Sequence, residues 1–180
     1  MAEHPIYTDL SQDNLYNHAI SAFGAEIARF ANGYERDYAR RQELMQEMHV
    51  ALWQSFGGFR EQCSLRTWVY RVTHNIGVTH IQRSLRSVPV VELETDDIAL
   101  VIDEHASMDL TERRLDLGRL LELIQRLAPL DREVMLLYLE DLDAFSIGEI
   151  IGLSSRNVAT KIHRIKALLA NQFGSRSSKT

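Results

Sequence analysis

Apolar residues recur at intervals of three and four along most of the chain, the spacing of one face of a helix. Leu15, Ala19, Ala22, Phe23, Ile27 and Phe30 form a first stripe. Leu44, Met48, Ala51, Leu52 and Phe56 form a second, which leaves Gln42, Glu43, Gln46, Glu47 and Gln54 as a polar surface on the same helix before Gly57 and Gly58 end it. Leu65, Trp68, Val69, Val72 and Ile76 make a third, with Arg66, Arg71 and Asn75 falling off the stripe. Three such helices enclose one small shared core.

A second unit begins near Thr111, where Leu117, Leu120, Leu121, Ile124 and Leu127 supply a stripe that Pro129 interrupts. A helix restarts at once, with Asp131 and Glu133 placed where carboxylates favour exposed backbone donors, and with Val134, Leu137 and Tyr138 facing its partners. Asp141 and Asp143 mark its exit. Ile147, Ile150 and Ile151, the turn Gly152–Leu153, and Val158, Ile162, Ile165 and Leu169 then read as a helix-turn-helix. Gly152 permits a conformation costly for other residues, Ser154 caps the second helix, and Gly148 allows a close approach between the two. The expected fold is all-α: two small helical domains joined by a linker, the second ending in the helix-turn-helix.

With the apolar side of residues 155–169 packed down, Arg156, Asn157, Thr160, Lys161 and Arg164 share the remaining face. Arginine spans guanine acceptors or grips phosphate, asparagine bonds adenine, and a major groove admits a helix. The plainer alternative is a solvated helix of an interaction domain.

Charge sharpens this picture. The net charge of -5 argues weakly against nucleic acid, but residues 87–111 hold seven acids and no Lys or Arg, more than the whole deficit. Residues 154–180 hold six Lys and Arg and no acid. The acidic stretch is either a solvated linker or a mimic of nucleic acid in a basic channel. In the first unit, Arg60, Arg66, Arg71, Arg83 and Arg86 accompany Trp68 and Tyr70 with Glu61 the only acid among residues 60–86, a combination suited to single-stranded DNA. Trp68 belongs to the core stripe. Tyr70 lies off it and is the better candidate to touch a base.

Enzyme chemistry finds little support. Cys63 is the only cysteine, which excludes an internal disulfide; its place at a helix start is expected to lower its pKa, but no catalytic base accompanies it. The seven histidines are scattered, His74 and His80 lack the spacing of a zinc helix, and no phosphate-binding glycine loop occurs. No metal, cofactor or catalytic residue is therefore expected. No secretory segment or long apolar run occurs, so a cytoplasmic protein without direct membrane insertion is expected.

Three separated stretches, QELMQEMHVALWQSF at 42–56, SLRTWVYRVTHN at 64–75 and the final helix-turn-helix, resemble the bacterial RNA polymerase sigma factors of the extracytoplasmic-function group. The resemblance covers roughly residues 15–86 and 112–173 and leaves the acidic middle where that group has a variable linker. It implies a non-enzymatic subunit that brings core RNA polymerase to promoter DNA and helps open it. Residues 10–86 would bind core polymerase and the minus-ten element, 87–111 would be the linker, and 112–173 would bind the minus-thirty-five element. By motif match, Gln42, Glu43, Gln46 and Glu47 would dock on polymerase. Arg60, Glu61, Gln62, Cys63, Ser64, Arg66, Arg71 and Asn75 would engage the minus-ten element and an unpaired base. Ser155, Arg156, Asn157, Thr160, Lys161 and Arg164 would read the minus-thirty-five element, in agreement with the polar face derived above. An anti-sigma factor is a further possible partner. Thr79 and Gln82 stand where the family pattern carries Asp and Arg, and Arg156 and Ala159 where it carries Gly and Lys. The alternative from the residues alone is a two-domain DNA-binding repressor that does not bind polymerase.

Overall fold

The computed structural model describes the backbone of Tyr7 and of residues 10–87 and 112–177, with side chains for Tyr7, 10–85 and 118–171. The linker residues 88–111 and the side chain of Leu117 lie outside the described residues. Every described element is helical: α1 (Gln12–Tyr34), α2 (Tyr38–Ser55), a 3-10 turn (Phe56–Gly58), α3 (Leu65–Ser87), α4 (Glu112–Gln125), α5 (Pro129–Tyr138), α6 (Ala144–Ile151) and α7 (Ser155–Ser177). Side chains start five of them, α3 and α7 through Ser64 and Ser154 and the other three likewise. Ser11, Asp37 and Asp143 each accept the amide of the residue three positions on, which satisfies a donor that the helix itself leaves open.

Helices α1, α2 and α3 pack pairwise into the first unit. Its centre holds Ile27, Phe30, Leu44, Met48, Leu52, Val69 and Tyr70, all essentially without solvent contact. Complete burial of one such side chain contributes roughly 1.5–3 kcal/mol relative to leaving it in water. The Phe30 and Tyr70 rings meet edge to face, with centroids 4.9 Å apart. Two residues sit elsewhere than their spacing implies. Ala22 is exposed, and Tyr70 is buried. The cause for Tyr70 is that α3 packs on α1 and α2 along one side and on α5 and α6 along another, so a single apolar stripe does not describe its buried surface.

The second unit is built on α4–α7, with Ile124, Val134, Leu137, Ile147, Val158 and Ile165 at its core. Pro129 opens α5, where its missing N–H costs nothing. The turn of the helix-turn-helix depends on two glycines. Gly152 closes α6 in the left-handed region at φ 77°, and its amide bonds back to Gly148 O at 2.9 Å. A methyl group at Gly148 would collide with the carbonyl oxygen of Leu153, so the turn rests directly on the α6 backbone. Ser154 then caps α7, its hydroxyl accepting from Asn157 N at 3.3 Å.

The two units touch. Helix α3 lies on α5 and α6, and α1 on α4 and α5. Arg29 forms a two-pronged pair with Glu140, Nε to Oε1 at 2.6 Å and Nη2 to Oε2 at 2.7 Å. Arg36 meets Glu122 at 3.3 Å. Among the described residues, no helix is long and apolar enough to cross a membrane.

Candidate nucleic-acid and polymerase interfaces

On α2, the expected docking residues Gln42, Glu43, Gln46 and Glu47 are all exposed on one face. Glu47 is partly engaged, its carboxylate 3.1 Å from Arg83 Nη1. The same face continues into Val50 and Trp53, both exposed, and the Trp53 indole donates to Asp13 at 2.8 Å. These two apolar residues were not singled out by the sequence reading, although their offsets from Gln46, four and seven, put them on its side of the helix. A polar rim around exposed apolar groups is the usual composition of a protein-binding patch.

The loop from Phe59 to Ser64 carries the second group. Phe59 anchors it, buried with its ring centroid 5.2 Å from that of Trp68. The Trp68 indole donates to Ser55 Oγ at 2.9 Å, which makes Trp68 a half-buried support beneath the loop. Glu61 adopts the left-handed conformation at φ 55° and accepts the amide of Tyr7. Arg60 folds back to donate to Gly57 O at 3.1 Å and Phe59 O at 2.9 Å. Gln62 is exposed and accepts Arg60 N at 3.0 Å. Ser64 caps α3, accepting Thr67 N at 3.0 Å. Cys63 is half-buried, and burial pushes its thiol up, against a smaller lowering effect of Arg71. The expected activation of this thiol by the helix start is therefore corrected to the opposite direction, because desolvation outweighs nearby positive charge.

Arg66, in the first turn of α3, and Arg71, in the second, reach the second unit. Arg66 Nη2 donates to Glu140 O at 2.7 Å, its Nε meets Tyr70 Oη at 3.2 Å, and its guanidinium sits 5.1 Å from the Tyr70 ring centroid. Arg71 Nη2 donates to Glu149 O at 2.7 Å, in the last turn of α6 where carbonyls lack helical partners. Tyr70 itself is buried and is not available to stack on a base. Asn75 is exposed, and its carbonyl accepts the Thr79 hydroxyl at 2.7 Å.

On α7, Ser155, Arg156, Asn157, Thr160 and Arg164 are exposed and Lys161 is partly covered. The Thr160 hydroxyl is spent on Arg156 O at 2.9 Å. Lys161 Nζ lies 2.7 Å from Asp131 Oδ1, and Arg164 Nη2 lies 2.6 Å from Oδ2 of the same carboxylate. Asp131 stands in the first turn of α5, as its place near a helix start implies, with Glu133 two residues on. Both are buried, because α5 runs beneath the units that α1, α4, α6 and α7 bring to it. Burial raises the Glu133 carboxyl to about 7.

A buried polar cluster joins the units. His74, without solvent contact, receives or gives a proton at Nδ1 with Tyr34 Oη, 2.6 Å away, and burial pushes it down to about 3. Burial also pushes the Tyr34 phenol well up, and the nearby Glu133 adds to this. Arg132 donates to Gln125 O and, at 3.4 Å each, to Leu127 O and Tyr34 O. Among the described residues, no three His, Cys, Asp or Glu are placed to hold a metal ion.

Comparison with known proteins decides what this architecture is. A model of sigma-70 region 2 matches residues 19–87, and a model of sigma-70 region 4 matches residues 117–169. The chain belongs to the sigma-70 family, as a sigma factor of extracytoplasmic-function type. The region 2 match of this sigma factor falls on α1–α3, and the region 4 match on α4–α7. It is 25% identical over 162 residues to the probable RNA polymerase sigma factor RfaY of Xanthomonas campestris, covering 88% of this chain and 40% of that one. It is 26% identical over 95 residues to the RNA polymerase sigma-H factor of Pseudomonas aeruginosa, covering 53% of this chain and 46% of that one. The sigma factor thus spans less than half the length of these relatives. Its fold is similar to that of CnrH, solved in complex with the cytosolic domain of CnrY, with a TM-score of 0.63, 19% identity, and coverage of 89% and 88% of the two chains.

Proposed function

We propose that this sigma factor directs core RNA polymerase to specific promoters and assists DNA opening, with no chemistry of its own. The observation that carries the reading is the order of the two matched regions on two helical units, the second presenting Arg156, Asn157 and Arg164 on an exposed recognition helix. In this reading residues 10–86 bind polymerase and the minus-ten element, 87–111 connect, and 112–173 read the minus-thirty-five element. Gln42, Glu43 and Gln46, with Val50 and Trp53, supply the polymerase-facing surface. Arg60, Gln62, Arg66, Arg71 and Asn75 supply donors for a melted strand, where unstacking costs a few kcal/mol that stacking and phosphate contacts offset. The resemblance to a chain solved with a second protein supports an inhibitory partner of anti-sigma kind.

The test is transcription from a promoter library by purified core polymerase with and without the chain. The expected outcome is a new set of start sites that requires both proteins. Gln46→Ala and Trp53→Ala should weaken co-purification with core polymerase, while Arg156→Ala should leave it intact and reduce selection of the upstream element. A chain that binds DNA selectively but never co-purifies with polymerase would favour the repressor instead.

A further inference from the structure

Asp131 receives no role from the sequence beyond its place near a helix start, yet it occupies an unusual position. It lies in the first turn of α5 with its side chain 5% exposed, and each carboxylate oxygen takes one cation from the recognition helix: Lys161 at 2.7 Å and Arg164 at 2.6 Å. One buried negative charge is thereby matched by two positive ones, so the site keeps a net positive charge facing outward. The two partners differ. Lys161 is 26% exposed and points into the protein, whereas Arg164 is 52% exposed. A guanidinium carries five N–H donors in a rigid plane, and Asp131 uses only Arg164 Nη2. The remaining donors are left for another acceptor in an orientation that the carboxylate fixes.

We propose that Asp131 is a positioning residue for promoter reading: it holds the Arg164 guanidinium in one orientation on the face of α7, with Lys161 as the second tether, and so sets which base pair Arg164 selects. This rests on the reading of α7 as the minus-thirty-five helix. An arginine on a free three-carbon stem pays its ordering entropy when it meets DNA, and it accepts several phosphate or base partners. An arginine already clamped pays less and accepts fewer. Removing the clamp therefore costs discrimination at one place in the site, by about two- to tenfold, rather than affinity everywhere.

The experiment selects promoters from a library randomised across the upstream element, using reconstituted holoenzyme with the native chain, Asp131→Asn, Asp131→Glu, Arg164→Ala, and the double variant Asp131→Asn with Arg164→Ala. Thermal melts of each chain run in parallel. The expected result is that Asp131→Asn loses preference at the same base pairs as Arg164→Ala, that the double variant loses no more there than Arg164→Ala, and that Asp131→Glu, which moves the carboxylate by one methylene, changes the preference at those positions alone. Altered melting with unchanged base preference in both Asp131 variants would overturn the proposal and leave a purely structural ion pair. If Asp131→Asn does not fold, the Asp131→Glu profile decides on the same criterion. A native holoenzyme without any upstream preference would instead overturn the reading of α7, and the proposal with it.

Discussion

Two buried residues titrate in opposite directions, and their sum shapes the pH response of the fold. Burial keeps His74 neutral down to about 3, while an unfolded histidine protonates near 6.5. Its contribution to stability is complete above about 6.5 and is lost as pH falls towards 3. Glu133 is raised to about 7 from 4.5, so its contribution is complete below 4.5 and is lost as pH rises through 7. Between about 4.5 and 6.5 the two slopes cancel. Glu133→Gln removes one of them. Its stability relative to the native chain, from urea midpoints, should rise by roughly 1.4 kcal/mol for each pH unit across that window. A parallel profile for the two proteins would contradict the burial argument. Neither residue announces this in the sequence: His74 reads as one of seven scattered histidines, and Glu133 as a helix-start carboxylate. His74 is covered by Phe30 and Tyr34 of α1, and Glu133 lies on α5, which packs on helices of both units; contacts between helices far apart in sequence bury them, and local spacing does not encode those.

At the level of elements, the helices were legible because each carries a stripe, and the exceptions have a common origin. Helix α6 and the cap of α7 follow from Asp143, Gly152 and Ser154, all local signals. Helix α3 is touched by four other helices, so Thr73, His74 and Tyr70 are buried outside its obvious stripe, and the reading of Tyr70 as a base contact failed for that reason. The polar faces of α2 and α7 were visible as such, whereas the exposed apolar pair Val50 and Trp53 was not, because exposed and core side chains look alike in a string of letters. The turn allows a sharp test. Gly148→Ala gains helix propensity of about 1 kcal/mol but drives a methyl into the Leu153 carbonyl, an overpacking cost of about 1–3 kcal/mol that backbone cannot relieve cheaply. The melting temperature should fall, and upstream-element selection with it. A variant as stable as the native chain would show that the turn can shift.

The whole molecule is held closed by contacts that draw on the charges expected to meet DNA. Arg66 and Arg71 donate across the boundary to Glu140 O and Glu149 O, and Arg29 pairs with the Glu140 carboxylate. The Arg29 side chain is more than half exposed, so its pair contributes below about 1 kcal/mol and weakens in salt. Small-angle scattering should therefore report a larger radius of gyration in high salt than in low salt, and Glu140→Ala should show the larger value already in low salt. Identical radii in all conditions would assign the closure to apolar packing alone. One further consequence follows from where those two arginines point. Each now occupies a peptide oxygen at the negative end of a helix, and on the proposed reading a promoter phosphate would have to displace that oxygen to claim the same guanidinium. On that reading the closed chain and the DNA-bound chain would be rivals for one pair of side chains, and whatever pries the helices apart would deliver both arginines at once.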